Sequence, residues 1–83
     1  MENIDGLAAA ISATVRALRV KTGLSQEHFA DLAGLSRVYI AQLETGERGA
    51  SLNALLLVAR SVGLTGAELV AMIERELESR RTA

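Results

Sequence analysis

Apolar residues recur along this chain at helical spacing, with none of the alternation that marks a strand. Leu7, Ile11, Val15 and Leu18 share one stripe, which predicts a first helix from about residue 5 to about residue 21. Asp5 is placed to cap its start and Gly23 to end it. Arg16, Arg19 and Lys21 lie towards its C-terminal end, where cations complement the helix dipole. Ser25 opens a second helix, with Phe29, Leu32 and Ala33 expected inward and Ala30 small enough to face a crossing helix closely. Gly34 ends it, Leu35 fills the corner, and Ser36 caps a third helix that turns Ile40 and Leu43 inward and stops near Thr45 and Gly46.

The run TGERGA at 45–50 is the longest polar linker. Ser51 caps a fourth helix, apolar on more than one face through Leu52, Leu55, Leu56, Val58 and Ala59, and Gly63 is expected to close it. Thr65 with Glu68 three residues on makes a capping box. A fifth helix follows, carrying Leu69, Val70, Met72, Ile73 and Leu77 into the charged tail ESRRTA. The expectation is therefore an all-α, compact five-helix domain spanning 1–83.

Composition narrows the function. The 83 residues suit one small domain, and 49% hydrophobic content is enough for a core. With no Cys there is no disulfide framework, no thiolate chemistry and no dedicated metal site around the single histidine, His28, which is expected on the surface. No window approaches 18 uninterrupted apolar residues, and the N-terminus lacks a basic region before an apolar run. A cytoplasmic protein with no membrane partner is expected. No His/Asp/Glu cluster or activated nucleophile is visible, and GLTGAE lacks the lysine and spacing of a phosphate loop. An enzyme, and a bound cofactor, are therefore not expected.

The candidate chemistry lies in Gln26 to Leu43, QEHFADLAGLSRVYIAQL. A helix-turn-helix needs a small residue where its helices cross, a glycine in the turn, apolar residues seating the second helix, and a free polar start to that second helix. Ala30, Gly34, Leu35, Ile40 and Leu43 fill the structural roles in register, and Ser36-Arg37 forms the polar start. A major groove is wide enough to admit such a helix. The partner this points to is double-stranded DNA. The net charge of −1 is awkward, because phosphate binding needs local positive charge. Charge must then be sorted by face, with few contacts per subunit.

The run LRVKTGLSQEHFADLAGLSRVYIAQLETGER, followed by SLNALLLVARSVGL, resembles the Cro/repressor (XRE) helix-turn-helix family over roughly residues 7 to 73. Size and a long last helix are most like controller proteins of restriction–modification systems. Ala50 stands where the family commonly has a proline before the serine opening helix 4, a departure that touches loop stiffness more than binding.

The resemblance implies roles residue by residue. Gln26 is similar to a glutamine that contacts a backbone phosphate. Ser36, Arg37 and Val38 open the recognition helix, with Gln42 one turn on. Arg37 is suited to bidentate contact with guanine, worth about 1–3 kcal/mol of discrimination. Tyr39 and Arg48 resemble phosphate or groove-edge contacts, and in controller proteins an arginine at the Arg48 position also reads bases. Arg19 and Glu44 resemble a buried ion pair tying helix 1 to helix 3, a structural role. The bland alternatives are a solvated Arg37, an ordinary helix-start Gln26, a half-buried Tyr39 ring and a loop charge at Arg48.

Specific operator affinity usually needs two half-sites read by a dimer. Helices 4 and 5, about 52–80, carry more apolar surface than a core of this size needs. Leu69, Val70, Ile73 and Leu77 are the expected homodimer stripe, the alternative being that Leu69 and Ile73 close the core. The reading is a sequence-specific transcriptional regulator on a pseudo-palindromic operator, with RNA polymerase a further candidate partner. The competing reading is an antitoxin or anti-repressor whose last helix binds another protein. Operator sequence, and activation against repression, are not encoded in residue types.

Overall fold

The computed structural model describes residues 2–82. Five helices follow one another: α1 (Leu7–Thr22), α2 (Gln26–Ala33), α3 (Arg37–Thr45), α4 (Leu52–Ser61) and α5 (Gly66–Thr82), with no strand among the described residues. The all-α, five-helix expectation holds.

Local chemistry sets most of the helix ends. Ser25, Ser36 and Ser51 each accept a hydrogen bond from the backbone N–H three residues on, at His28, Tyr39 and Ala54. The Thr65 hydroxyl accepts from the Glu68 N–H at 3.1 Å, and the Thr65 N–H donates to the Glu68 carboxylate at 2.9 Å, closing the capping box both ways. Helix 1 starts differently. It begins after Gly6 in a left-handed conformation with no side-chain cap, so Asp5 does not have the capping role expected of it. At the other end of α4, the helix stops at Ser61, and Gly63 lies two residues beyond it.

Three corners use the same Gly-Leu device. After α1, α2 and α4, the leucine N–H reaches back to the carbonyl five residues earlier: Leu24 to Arg19, Leu35 to Ala30, Leu64 to Ala59. Gly34 has φ 72°, which costs a glycine little and would strain any residue with a Cβ. Each leucine then packs against the core. The residue that satisfies the helix end is thus also the residue that plugs the corner.

Phe29, Ile40, Leu43, Leu69, Val15 and Val58 are the largest fully buried side chains. Helix 1 is the backing element, packed on α3 and α5, while α2 lies between α3 and α4. Ala30 and Ala33 are buried with Phe29, as the crossing requires. Leu32, expected inward, is 62% exposed. The inward face of this eight-residue helix is already filled by Phe29, Ala30 and Ala33, and Leu32 falls on its flank beside Leu57 and Arg60.

Candidate DNA-binding site

Ser36 fixes the start of α3. Its hydroxyl accepts from the Tyr39 N–H at 3.0 Å, which holds the first turn and leaves Arg37 and Val38 exposed to solvent beside it. The sequence expectation that the polar leading edge of this helix is free is met in the geometry.

The base of the motif is tied by one anion. Glu44, whose side chain is 4% exposed, accepts from Arg19 Nε at 2.7 Å and from Arg19 Nη2 at 3.0 Å. Arg19 also donates from Nη1 to the Leu24 carbonyl at 2.9 Å, so the α1–α2 corner joins the same knot. The hydrogen bond to Glu44, more than its charge, holds the Arg19 guanidinium above its ordinary pKa against the cost of burial. The stabilisation from that raised pKa is present at all pH below the ordinary arginine value. It fades only as pH rises through the raised one, so Arg19 adds no pH dependence near neutrality. Arg19 and Glu44 form the structural ion pair expected of them, spanning α1 and α3.

Glu44 has a second partner that sequence reasoning missed. Gln26 Nε2 donates to Glu44 Oε1 at 3.1 Å. The glutamine at the start of α2 is therefore oriented from behind, with one side-chain N–H left over. Nothing in the spacing of positions 26 and 44 signals this; it follows only once α2 and α3 have crossed.

A second knot joins Tyr39, Gln42 and Arg48. Arg48 Nε donates to Gln42 Oε1 at 3.0 Å, and the Arg48 backbone N–H lies 3.4 Å from the Gln42 carbonyl. The guanidinium carbon stands 5.3 Å from the centre of the Tyr39 ring, within cation–π range. The Tyr39 hydroxyl accepts from the Ser51 N–H at 3.4 Å, linking this knot to the start of α4. Residues read separately in the sequence thus belong to two assemblies, one around Glu44 and one around Arg48. His28 is exposed, and among the described residues no group of three His, Asp or Glu is placed to hold a metal ion.

On the far side, the stripe expected for dimerisation is redistributed. Leu69 is 0% exposed and Ile73 4%; both are interior residues of this chain's own core and have no surface to offer a partner. The reason is packing: α5 turns these two onto α1 and α4. Leu77 is half-buried against the same core. Of the four, Val70 is the one left open, at 39%. The exposed apolar residues beside it are Leu52 at 68% and Leu56 at 41%, which with Leu55, Ala67 and Val70 line a shallow groove between α4 and α5. Leu52 follows a serine cap and Leu56 comes one turn later, the available hint that this face was surplus to the core. Gly66 floors the groove, where a Cβ would overlap the Leu56 side chain.

A profile of the helix-turn-helix domain matches residues 10–72. The chain belongs to the helix-turn-helix family. Its resemblance to controller proteins is shown as well: it is 33% identical over 60 residues to control protein C.SmaI of Serratia marcescens, spanning 72% of this chain and 71% of that one. It is similar to the solved restriction–modification controller protein C.AhdI from Aeromonas hydrophila, at 37% identity and a TM-score of 0.70 over 75% of this chain and 94% of the other. The controller protein C.Esp1396I, solved as a tetramer in complex with its natural 35 base-pair operator, has the same fold at 24% identity, with a TM-score of 0.78 over 92% and 97% of the two chains. This helix-turn-helix protein is a DNA-binding regulator. No single helix among its described residues is long and apolar enough to cross a membrane.

Proposed function

We propose that this protein is a restriction–modification controller: a sequence-specific regulator, working in the cytoplasm, that binds a pseudo-palindromic operator as a homodimer. The observation that carries the reading is the exposed, serine-capped start of α3, held on a helix pair whose base is fixed by Glu44. Residues 1–83 act as one DNA-binding domain. Arg37 and Val38 face base edges, with Ser36 at the backbone beside them, and Arg37 takes a guanine. Gln26 contacts phosphate with its remaining side-chain N–H at the start of α2. Tyr39, Gln42 and Arg48 contact the operator together.

Dimerisation runs through Leu52, Leu56 and Val70 on the α4–α5 face. Such an arrangement would set two recognition helices about one turn of DNA, roughly 34 Å, apart. It also answers the charge balance, since a chain of net charge −1 gains little from one set of phosphate contacts and more from two.

A footprint on the DNA upstream of its own gene tests the proposal. Two protected half-sites, related by symmetry and lost together on raising salt, are expected. Uniform affinity for operator and unrelated DNA would refute it. Sedimentation separates the homodimer from a partner-binding antitoxin: a stable dimer of this chain alone is expected, against a monomer that copurifies with another protein.

A further inference from the structure

The Gln42–Arg48 hydrogen bond fixes more than a loop. An amide side chain has a donor end and an acceptor end, and reads adenine by using both at once, donating to N7 and accepting from N6. An arginine has donors only, so the atom of Gln42 facing Arg48 Nε has to be the carbonyl oxygen. Arg48 thereby occupies the acceptor end and turns the NH2 end outward. Any further donor approaching Oε1 would do so beside a guanidinium charge. What the pair offers to a groove is the two N–H of Gln42 and the unused terminal N–H groups of Arg48, all of one polarity.

We propose that Gln42 and Arg48 form a donor-only reading unit that selects the keto edge of one base in each half-site, guanine O6 and N7 or thymine O4, and ignores or rejects base amino groups. Gln42 is the contacting residue and Arg48, through Oε1, the residue that sets its polarity. The arrangement is supported from behind: Arg48 stacks on Tyr39, and Tyr39 is held by the Ser51 N–H. A groove that excludes water strengthens such a charge-assisted bond. The proposal rests on the operator-binding reading above and goes further, because operator binding alone leaves Gln42 free to use either end.

The test is selection from random DNA by the full chain and by its Gln42→Ala variant, followed by binding to synthetic operators with single atoms removed. The base pair whose preference disappears in Gln42→Ala is the one Gln42 reads. Removing the exocyclic amino group at that pair, by placing purine for adenine or 2-pyrimidinone for cytosine, is expected to leave the unmodified protein's affinity within about twofold, once normalised to Gln42→Ala on the same DNA. Removing the keto oxygen or N7 acceptor is expected to cost about tenfold in the unmodified protein and nothing in Gln42→Ala. Arg48→Ala releases Oε1, so preference at this same pair should broaden to the reversed pair, while the Arg37-dependent positions stay as they were. A tenfold loss on removing the amino group overturns the proposal. So does a Gln42→Ala variant that keeps every base preference, with operator binding itself intact. Failure of the unmodified protein to enrich any sequence would sink the operator reading beneath it, a result distinct from either. Arg48 is exposed and Gln42 partly so, and matched circular dichroism melting curves show that both variants are folded.

Discussion

The two ends of this molecule treat their side chains in opposite ways. On the α2–α3 side nearly every polar group with a proposed contact is already held: Gln26 by Glu44, Gln42 by Arg48, Tyr39 by Ser51. On the α4–α5 side Leu52 lies open, and Leu56 and Val70 are partly open. The first face is ordered before a ligand arrives, so binding costs less side-chain entropy there. In the proposed homodimer the second would gain its burial from the other copy. Specificity would then be built in advance on one side, and affinity left for assembly to supply on the other.

The largest expected effect breaks the first face at its root. Glu44→Ala leaves the part-buried Arg19 guanidinium and Gln26 without their shared acceptor, and should cost about 3 kcal/mol in urea unfolding. Glu44→Gln, which keeps a shape of similar size, should retain part of that loss and also slacken Gln26. Next comes the opposite face. Leu56→Glu or Val70→Glu should leave the monomer's melting close to unchanged but abolish the dimer on sedimentation. Operator affinity should then fall by at least about a hundredfold, because two linked half-sites become two separate ones. Arg37→Ala should cost about 1–3 kcal/mol of discrimination at a single position in each half-site, read as loss of preference in a binding titration across operator variants. Ser36→Ala removes the α3 cap and should cost about 1 kcal/mol of stability by thermal melting. The smallest is Leu32→Ser, expected within about 0.5 kcal/mol of the unmodified protein, since that leucine is exposed. A large loss there would mean that the groove beside Leu57 and Arg60 is occupied.

These contrasts also mark what sequence can carry. Caps and corners are local, three to five residues across, so Ser25, Ser36, Ser51 and the Thr65–Glu68 box were readable, as was the helix-turn-helix they delimit. The Arg19–Glu44 pair came from family resemblance, not from spacing. Apolar periodicity says that a face is buried but not by what. Leu69 and Ile73 satisfy the same pattern whether they face α1 or a second subunit, and only the helix crossing decides. Leu32 failed for a related reason: three residues cover a short helix's inner face, and the fourth apolar one is left over. The knots around Glu44 and Arg48 needed the fold, because their members come from different elements or, as with Gln42 and Arg48, from a helix and the loop that bends back on it.

The three Gly-Leu corners have a kinetic consequence. Each closes a helix with bonds to carbonyls only a few residues back, and the chain has neither proline nor cysteine to impose an isomerisation or an oxidation step. Folding should therefore lack the slow phases of tens of seconds that proline brings, and run in a single exponential on the microsecond-to-millisecond scale of local helical domains. Newly made chains would be competent almost as soon as they leave the ribosome. The delay before a regulator like this acts would then be set by how quickly two copies meet.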